Sequence, residues 1–287
     1  MSNVLTIYCH GTGGSRKKGA NKGEIVNIFG NNAMGKEGVD FLITEGVGKM
    51  GAPHKSLYVH STTGSHLQET VPSKVRIQDN LKKAAGMGSK ILQHLGEDTV
   101  MQASGVGVDE NVASVLNRIT EMYRNGKAPT VINMMGWSRG AVTCIRIAHF
   151  LNLVPELSKI PINIFAVDPV AGQGHDTEAD AHTLGGNVKH YVGTLSVHEN
   201  RGAFQPMEYN LLRINGCRRA VILPMPGIHS DTAKFYNASG KITFHLCAKF
   251  LDFHGTVLHE GIKRFALPNN LAWIFHEGGI GERQKAA

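Results

Sequence analysis

A strand, a tight turn and a helix are predicted around the pentapeptide Gly136-Trp137-Ser138-Arg139-Gly140. An apolar segment, residues 131–135, precedes it. The residues after it repeat with a helical period: Ala141, Cys144, Ile145, Ala148 and Leu151. A serine between two glycines at such a junction is typical of a nucleophile elbow, because the small residues let the strand and helix backbones pass closely. Ser138 is therefore predicted to lie on a sharp turn, with the N-terminus of the following helix pointing toward it.

Short β-rich segments alternate with helical periods along the whole chain. This pattern predicts an α/β fold of the α/β-hydrolase type, with a mostly parallel central sheet and helices on both faces. Strands are predicted at 3–9, 56–61, 130–135, 161–167, 189–197 and 219–223. Helices are predicted over 74–95 and 110–124, after the elbow, and after residue 240. We expect a single domain spanning residues 1–287, with loop insertions at about 13–55 and 171–187 that are rich in Gly, Asn, Lys, Asp and His.

The first predicted strand ends in His10-Gly11-Thr12-Gly13-Gly14, which resembles the HG-type oxyanion loop of lipases. Glycines there would let the main chain approach a carbonyl oxygen closely. The amides of Gly11, Thr12 and Arg139 are therefore the predicted donors to an oxyanion. A simple β-to-α turn is the alternative interpretation of this glycine-rich segment.

A serine nucleophile in this architecture needs an acid and then a histidine later in the chain. His229 is the best candidate base among 15 histidines, because it lies in a turn directly after the apolar residues 220–223. His245, His254 and His259 fall in the predicted C-terminal helix and are interpreted as surface or packing residues. Asp168 follows the strand after the elbow helix and is the favoured acid, where a carboxylate can orient the imidazole. Glu199, after the next strand, is the alternative acid.

The chain resembles the DUF2235 family of α/β hydrolases, which includes the Tle1-type phospholipase effectors of type VI secretion. The matching segments are Gly11-Thr12, Glu110-Asn111-Val112, Gly136-Trp137-Ser138-Arg139-Gly140-Ala141, Val167-Asp168-Pro169-Val170, residues 198–206 and Pro226-Gly227-Ile228-His229-Ser230-Asp231. The resemblance implies that Ser138, Asp168 and His229 are nucleophile, acid and base, and that the substrate is a phospholipid or another acyl ester. The resemblance is also compatible with peripheral membrane contact and with an immunity or adaptor protein as partner.

Composition excludes several classes of protein. The chain has 287 residues, of which 41% are hydrophobic, yet it contains no run of about 18 apolar residues such as a membrane span requires. Its net charge of +7 is dispersed, without the aromatic stripe or zinc-finger spacing of nucleic-acid binders, so no nucleic-acid partner is expected. No Sec-type signal is visible at the start. We expect a soluble protein, either cytoplasmic or exported as an effector without a cleavable signal.

The predicted function is that of a serine esterase or (phospho)lipase that needs no cofactor and no metal. Acyl transfer or thioester hydrolysis would use the same three residues, and a non-catalytic binding module on a hydrolase fold is a further alternative. A metal-dependent enzyme is the remaining alternative, since His175, Asp176, Asp180 and His182 lie in one predicted loop. Oligomeric state is left open by the sequence.

Overall fold

The computed structural model describes residues 3–16, 23–46, 108–172, 179–201, 204, 206–207 and 212–266. The strands in these ranges are β1 (Val4–Cys9), β2 (Phe41–Thr44), β3 (Val131–Trp137), β4 (Ile162–Val167), β5 (Thr183–Leu184), β6 (Val188–Ser196), β7 (Arg213–Ile214) and β8 (Arg219–Met225). Six of them form one parallel sheet in the order β2-β1-β3-β4-β6-β8, and β5 pairs with β7 separately. The parallel sheet confirms the predicted α/β fold.

The helices follow the strands on both faces of this sheet. They are α1 (Ile25–Asn31), α2 (Val108–Arg124), α3 (Arg139–Asn152), α4 (Ala179–His182), α5 (His229–Ala233), α6 (Ala238–Phe253) and α7 (Glu260–Ala266). In the described ranges, no helix combines the length and the apolar character needed to cross a membrane.

The hydrophobic core has one layer on each side of the sheet, because successive strand residues point to opposite faces. Met134 and Ile164 pack with α2 and α3 in the first layer. Their neighbours Met135 and Phe165 pack with α1 and α6 in the second. Central strands that are buried on both faces explain why their sequences read as continuous apolar runs rather than alternating ones.

Strands and helices predicted within the described ranges are confirmed to within a few residues. The elements that were not predicted are the strands β2, β5 and β7 and the short helices α1, α4, α5 and α7. The prediction of loop insertions at about 13–55 and 171–187 is wrong in part. The first segment contains α1 and β2, and the second contains α4 and β5. These elements are only two to seven residues long, so they carry little periodic signal, and tertiary packing stabilises them. The predicted strand 56–61 and helix 74–95 lie outside the described residues.

A buried ion-pair cluster ties α2, α3 and α4 together on one side of the sheet. The Arg146 side chain is fully buried. Its guanidinium lies 2.6 Å from Asp109 Oδ1 and 2.9 Å from Asp180 Oδ2. Each partner is itself almost completely buried, so one guanidinium is paired with two carboxylates away from water.

Replacing Arg146 by Met is expected to destabilise the fold strongly, because two carboxylates would remain buried without their cation. Breaking a buried pair in this way costs about 3–5 kcal/mol. Denaturant unfolding followed by circular dichroism measures the loss. Lys263→Met is the control, since it removes the exposed pair with Glu260 and should leave the unfolding midpoint nearly unchanged. Equal shifts for the two variants would contradict the prediction.

Candidate active site

The elbow places Ser138 in a strained conformation at the carboxyl end of β3. Its φ of 58° and ψ of −125° lie where a residue with a side chain is rarely found. Two main-chain hydrogen bonds hold the turn. The Ser138 amide donates to the Val167 carbonyl at 3.0 Å, and the Ser138 carbonyl accepts from the Ala141 amide at 3.0 Å. Neighbouring structure therefore fixes a geometry that the residue alone would avoid.

Both glycines of the pentapeptide are required by close backbone contact. A Cβ at Gly136 would collide with the Gly140 carbonyl, and one at Gly140 would collide with the Cys9 carbonyl of β1. The start of α3 is thus pressed against β1 and β3. This is the close passage of strand and helix that the sequence predicted at these two positions.

The Ser138 hydroxyl is almost completely buried, with 1% of the residue exposed. Within the described part of the chain, its Oγ has no hydrogen-bond partner. Buried hydroxyls normally have a partner, so this one is not used to hold the fold together.

Asp168 lies directly after β4, at the same edge of the sheet as Ser138, and is completely buried. Its Oδ1 accepts a hydrogen bond from the Ser196 amide at 2.6 Å, and its Oδ2 accepts one from Ser196 Oγ at 2.6 Å. The Asp168 amide donates to the Thr194 carbonyl of β6 at 2.9 Å. Neighbouring strand β6 therefore fixes both the main chain and the carboxylate.

His229, the first residue of α5, brings its imidazole onto this carboxylate. The Nδ1 atom lies 2.6 Å from Asp168 Oδ2, and both residues are buried. One face of the ring stacks on Trp137, with 5.2 Å between ring centroids. The Phe204 ring lies 5.7 Å from the imidazole, also measured between centroids. Because Trp137 immediately precedes Ser138, the imidazole lies against the elbow.

The predicted oxyanion loop also lies against the elbow. A Cβ on Gly11 would be 2.7 Å from the Trp137 ring and 3.0 Å from the Trp137 carbonyl, so only glycine fits there. The Gly14 amide donates to the Gly11 carbonyl at 2.8 Å, which folds the loop into a tight turn. Thr12 Oγ1 is buried without a hydrogen-bond partner among the described residues. Arg139, the third predicted donor, is the first residue of α3.

Glu199, the alternative acid, does not contact the imidazole. Its Oε2 accepts a hydrogen bond from the His229 main-chain amide at 3.0 Å. Its Oε1 accepts from the Arg201 amide and from Arg201 Nε, both at 2.8 Å. These Arg201 hydrogen bonds are the main reason that the pKa of Glu199 falls to about 2, so the carboxylate is charged at neutral pH. Glu199 therefore fixes the backbone of the histidine loop, whereas Asp168 contacts the ring.

Sequence reasoning missed several residues that complete the site. Ser196 supplies two of the hydrogen bonds to Asp168, and Trp137 and Phe204 enclose the imidazole. Ser196 ends β6, next to the strand that carries Asp168. Its position at the carboxyl end of a predicted strand was the one available signal, because parallel strands end at a common edge.

The polar cluster considered as a metal site has another role where it is described. The Asp180 carboxylate is bound by Arg146 at 2.9 Å, and His182 is buried at the end of α4. His175 and Asp176 lie outside the described residues. Among those that are described, no three His, Cys, Asp or Glu side chains converge in a way that could hold a metal ion.

No family model matches this chain, and no curated protein matches it. Among solved structures, the chain is similar to one titled as the crystal structure of an uncharacterized protein from Pseudomonas aeruginosa. The two are 15% identical, with a TM-score of 0.42 over 83% of this chain and 42% of the other. This chain thus spans less than half the length of that protein. Similarity at this level does not bear on function.

Proposed function

We propose that this chain is a serine hydrolase that cleaves acyl esters, with Ser138 as nucleophile, His229 as general base and Asp168 as the acid that orients it. The observation that carries the proposal is the 2.6 Å contact between His229 Nδ1 and Asp168 Oδ2, made by an imidazole stacked on the residue before Ser138. A buried carboxylate on Nδ1 keeps the proton on that nitrogen and leaves Nε2 as the base.

The reaction proceeds through an acyl-enzyme. Ser138 Oγ attacks the acyl carbon as its proton passes to His229 Nε2, and Asp168 stabilises the imidazolium. Collapse of the tetrahedral intermediate breaks the ester bond, and the leaving alcohol takes the proton from Nε2. Water then repeats the sequence: it gives a proton to Nε2, attacks the acyl carbon and releases the carboxylic acid as Ser138 regains its proton.

Stabilisation of the oxyanion is assigned to main-chain amides. Arg139 begins α3 directly after the nucleophile, and the first N–H groups of a helix have no acceptor within the helix. The positive end of the helix dipole adds to their effect. Gly11 and Thr12, in the loop packed on Trp137, supply the second side of the oxyanion hole.

The resemblance to the DUF2235 hydrolases supports a phospholipid as the ester that is cleaved. Under this proposal the protein acts at a membrane surface without spanning it and is exported as an effector by a route that needs no cleavable signal. Ester hydrolysis itself does not depend on these extensions, because the three side chains act on the acyl group alone.

Covalent labelling with a fluorophosphonate tests the proposal directly. Such a probe phosphonylates a serine only when a base activates it, so we expect one modified residue, Ser138, identified by peptide mass spectrometry. The Ser138→Ala variant should remain unlabelled. Ser158→Ala is the matched control and should label fully, because Ser158 lies before β4, at the opposite edge of the sheet. Labelling that persists in Ser138→Ala, or its absence from the unmodified chain, would refute the assignment.

A further inference from the structure

A groove of about 910 Å³ lies between the edge of the sheet and α6. Strands β4, β6 and β8 form its floor and α6 forms one wall, and the apolar side chains along it include Phe165, Val192, Val221, Leu223, Leu246 and Phe250. Most of these side chains are only partly buried. The groove is therefore a concave apolar surface beside the edge strand.

Basic and apolar side chains lie at different positions along the floor of the groove. Arg219, Val221 and Leu223 alternate along β8 and so point to the same face of the sheet, and Val192 is the register partner of Val221 on β6. From Arg219 to Leu223 the strand rises about 13 Å. The groove therefore has a cation at one end and apolar side chains along the rest of its length.

Basic residues outnumber acidic ones in the lining of the groove. Arg218, Arg219 and Lys249 line the groove, and Asp252 is the one acidic residue of its lining. Within the described ranges, none of the three basic side chains forms an ion pair or a hydrogen bond through its charged group. A surface that combines unpaired cations with apolar side chains complements an anionic amphiphile.

A polar row buried in the sheet holds the groove's histidine in place. Thr6, Asn133, Asn163 and His190 are register partners on four adjacent strands, and Arg219 continues the row on β8. Asn163 Nδ2 donates to Asn133 Oδ1 at 2.9 Å, and His190 Nδ1 lies 3.2 Å from Asn163 Oδ1. The row thus begins in the interior and ends at the cationic end of the groove.

The histidines add polar groups to this end rather than charge. The rings of His190 and His254 lie 4.8 Å apart, measured between centroids. Burial lowers the pKa of both, the nearby Arg218 and Arg219 lower that of His190 further, and the pKa of His254 falls to about 4. Both are neutral near pH 7, so the positive charge comes from the arginines and Lys249.

We propose that this groove binds a long-chain carboxylate, with the carboxylate group at Arg218 and Arg219 and the acyl chain along Val221 and Leu223. The site is separate from Ser138, because Arg219 begins β8 whereas the elbow follows the carboxyl end of β3. The inference does not rest on the proposed hydrolase activity. It rests on the shape of the groove and on the placement of its charges.

The dimensions favour one bound molecule over a membrane surface. A volume of about 910 Å³ lies within the range of small-molecule sites, roughly 300–1,000 Å³. Binding to a bilayer instead uses an apolar face that projects outward, with basic residues beside it. Here most of the apolar side chains line a concavity, with Phe253 as the largely exposed exception, and the arginines lie at one end, as a ligand with a single anionic head requires.

Isothermal titration of the Ser138→Ala variant with dodecanoate, below its micelle concentration, tests the site without any turnover. We expect one molecule bound per chain, no comparable binding of acetate or of dodecyltrimethylammonium, and at least tenfold weaker binding of dodecanoate after Arg218→Glu and Arg219→Glu together. The matched control reverses the same number of exposed charges elsewhere, at Lys127 and Arg213, and should bind normally. Both pairs are exposed, so circular dichroism should show an unchanged fold.

Other results would overturn the proposal. Dodecanoate that binds equally well to the Arg218/Arg219 variant must lie elsewhere, for example beside the elbow. Absence of dodecanoate binding would refute the site, even if the chain floats with phosphatidylglycerol vesicles or self-associates in sedimentation velocity. Flotation with vesicles would then assign the groove to a membrane, and self-association would assign it to a second copy of the chain.

Discussion

Ester hydrolysis by the Ser138→Ala variant is expected to have a kcat about 10⁶-fold below that of the unmodified chain, which is the size of effect seen when a serine nucleophile is removed. Alanine keeps the Cβ and so preserves the strained main chain, whose φ is 58°. Rates measured with nitrophenyl esters of increasing chain length would give the loss and the acyl preference together. Activity close to that of the unmodified chain would exclude Ser138 as the nucleophile.

The same variant should not lose stability, and this separates catalysis from structure. The Ser138 hydroxyl is buried and has no hydrogen-bond partner among the described residues. Removing an unpaired buried polar group relieves a desolvation cost rather than breaking a bond. We therefore expect the thermal unfolding midpoint of Ser138→Ala to equal or exceed that of the unmodified chain. A clear drop would mean that the hydroxyl supports the fold.

Asp168→Asn is expected to lower kcat by about 10⁴-fold, although asparagine has nearly the same size and shape as aspartate. An amide in place of Oδ2 would donate a hydrogen bond to His229 Nδ1 and so move the imidazole proton to Nε2. The histidine could then no longer accept the proton of Ser138. Steady-state kinetics measures the loss, and the imidazole NMR signals of the variant should report the changed tautomer.

Glu199→Gln is the control for the acid. Glutamine keeps an oxygen that can accept the hydrogen bond from the His229 amide, and the imidazole itself does not contact this side chain. We expect kcat to change much less than in Asp168→Asn. If Glu199→Gln were the more damaging substitution, Asp168 would not be the acid of the triad.

The elbow could be predicted because its signal is local. Two glycines, an apolar run before the serine and a helical period after it all describe one strand-turn-helix unit. The same holds for α2, in which the apolar residues recur with a helical period and are buried, namely Val112, Val115, Leu116, Ile119 and Met122. Tyr123, in the last turn, continues this period but is 44% exposed. Helix ends extend beyond the core that covers their middle, so periodicity is a weaker guide there.

Other features depend on residues that are far apart in the chain, so no local sequence pattern predicts them. The choice between Asp168 and Glu199 depends on the neighbouring positions of β4 and β6. It also depends on how His229 contacts each carboxylate, because its ring contacts Asp168 whereas its main-chain amide donates to Glu199. The polar row from Thr6 to His190 was also not predicted. Thr6, Asn133 and Asn163 are isolated polar positions in otherwise apolar strands, His190 follows Lys189 on β6, and only strand register aligns the four.

By itself, the amino-acid sequence determined the α/β class, most of the strands of the sheet and the conformation around Ser138, because these depend on periodicity and glycine placement over a few residues. The tertiary structure alone decided which carboxylate contacts His229, what encloses that ring and where the cationic groove forms. These depend on strand order and register, which bring together residues that are far apart in the chain.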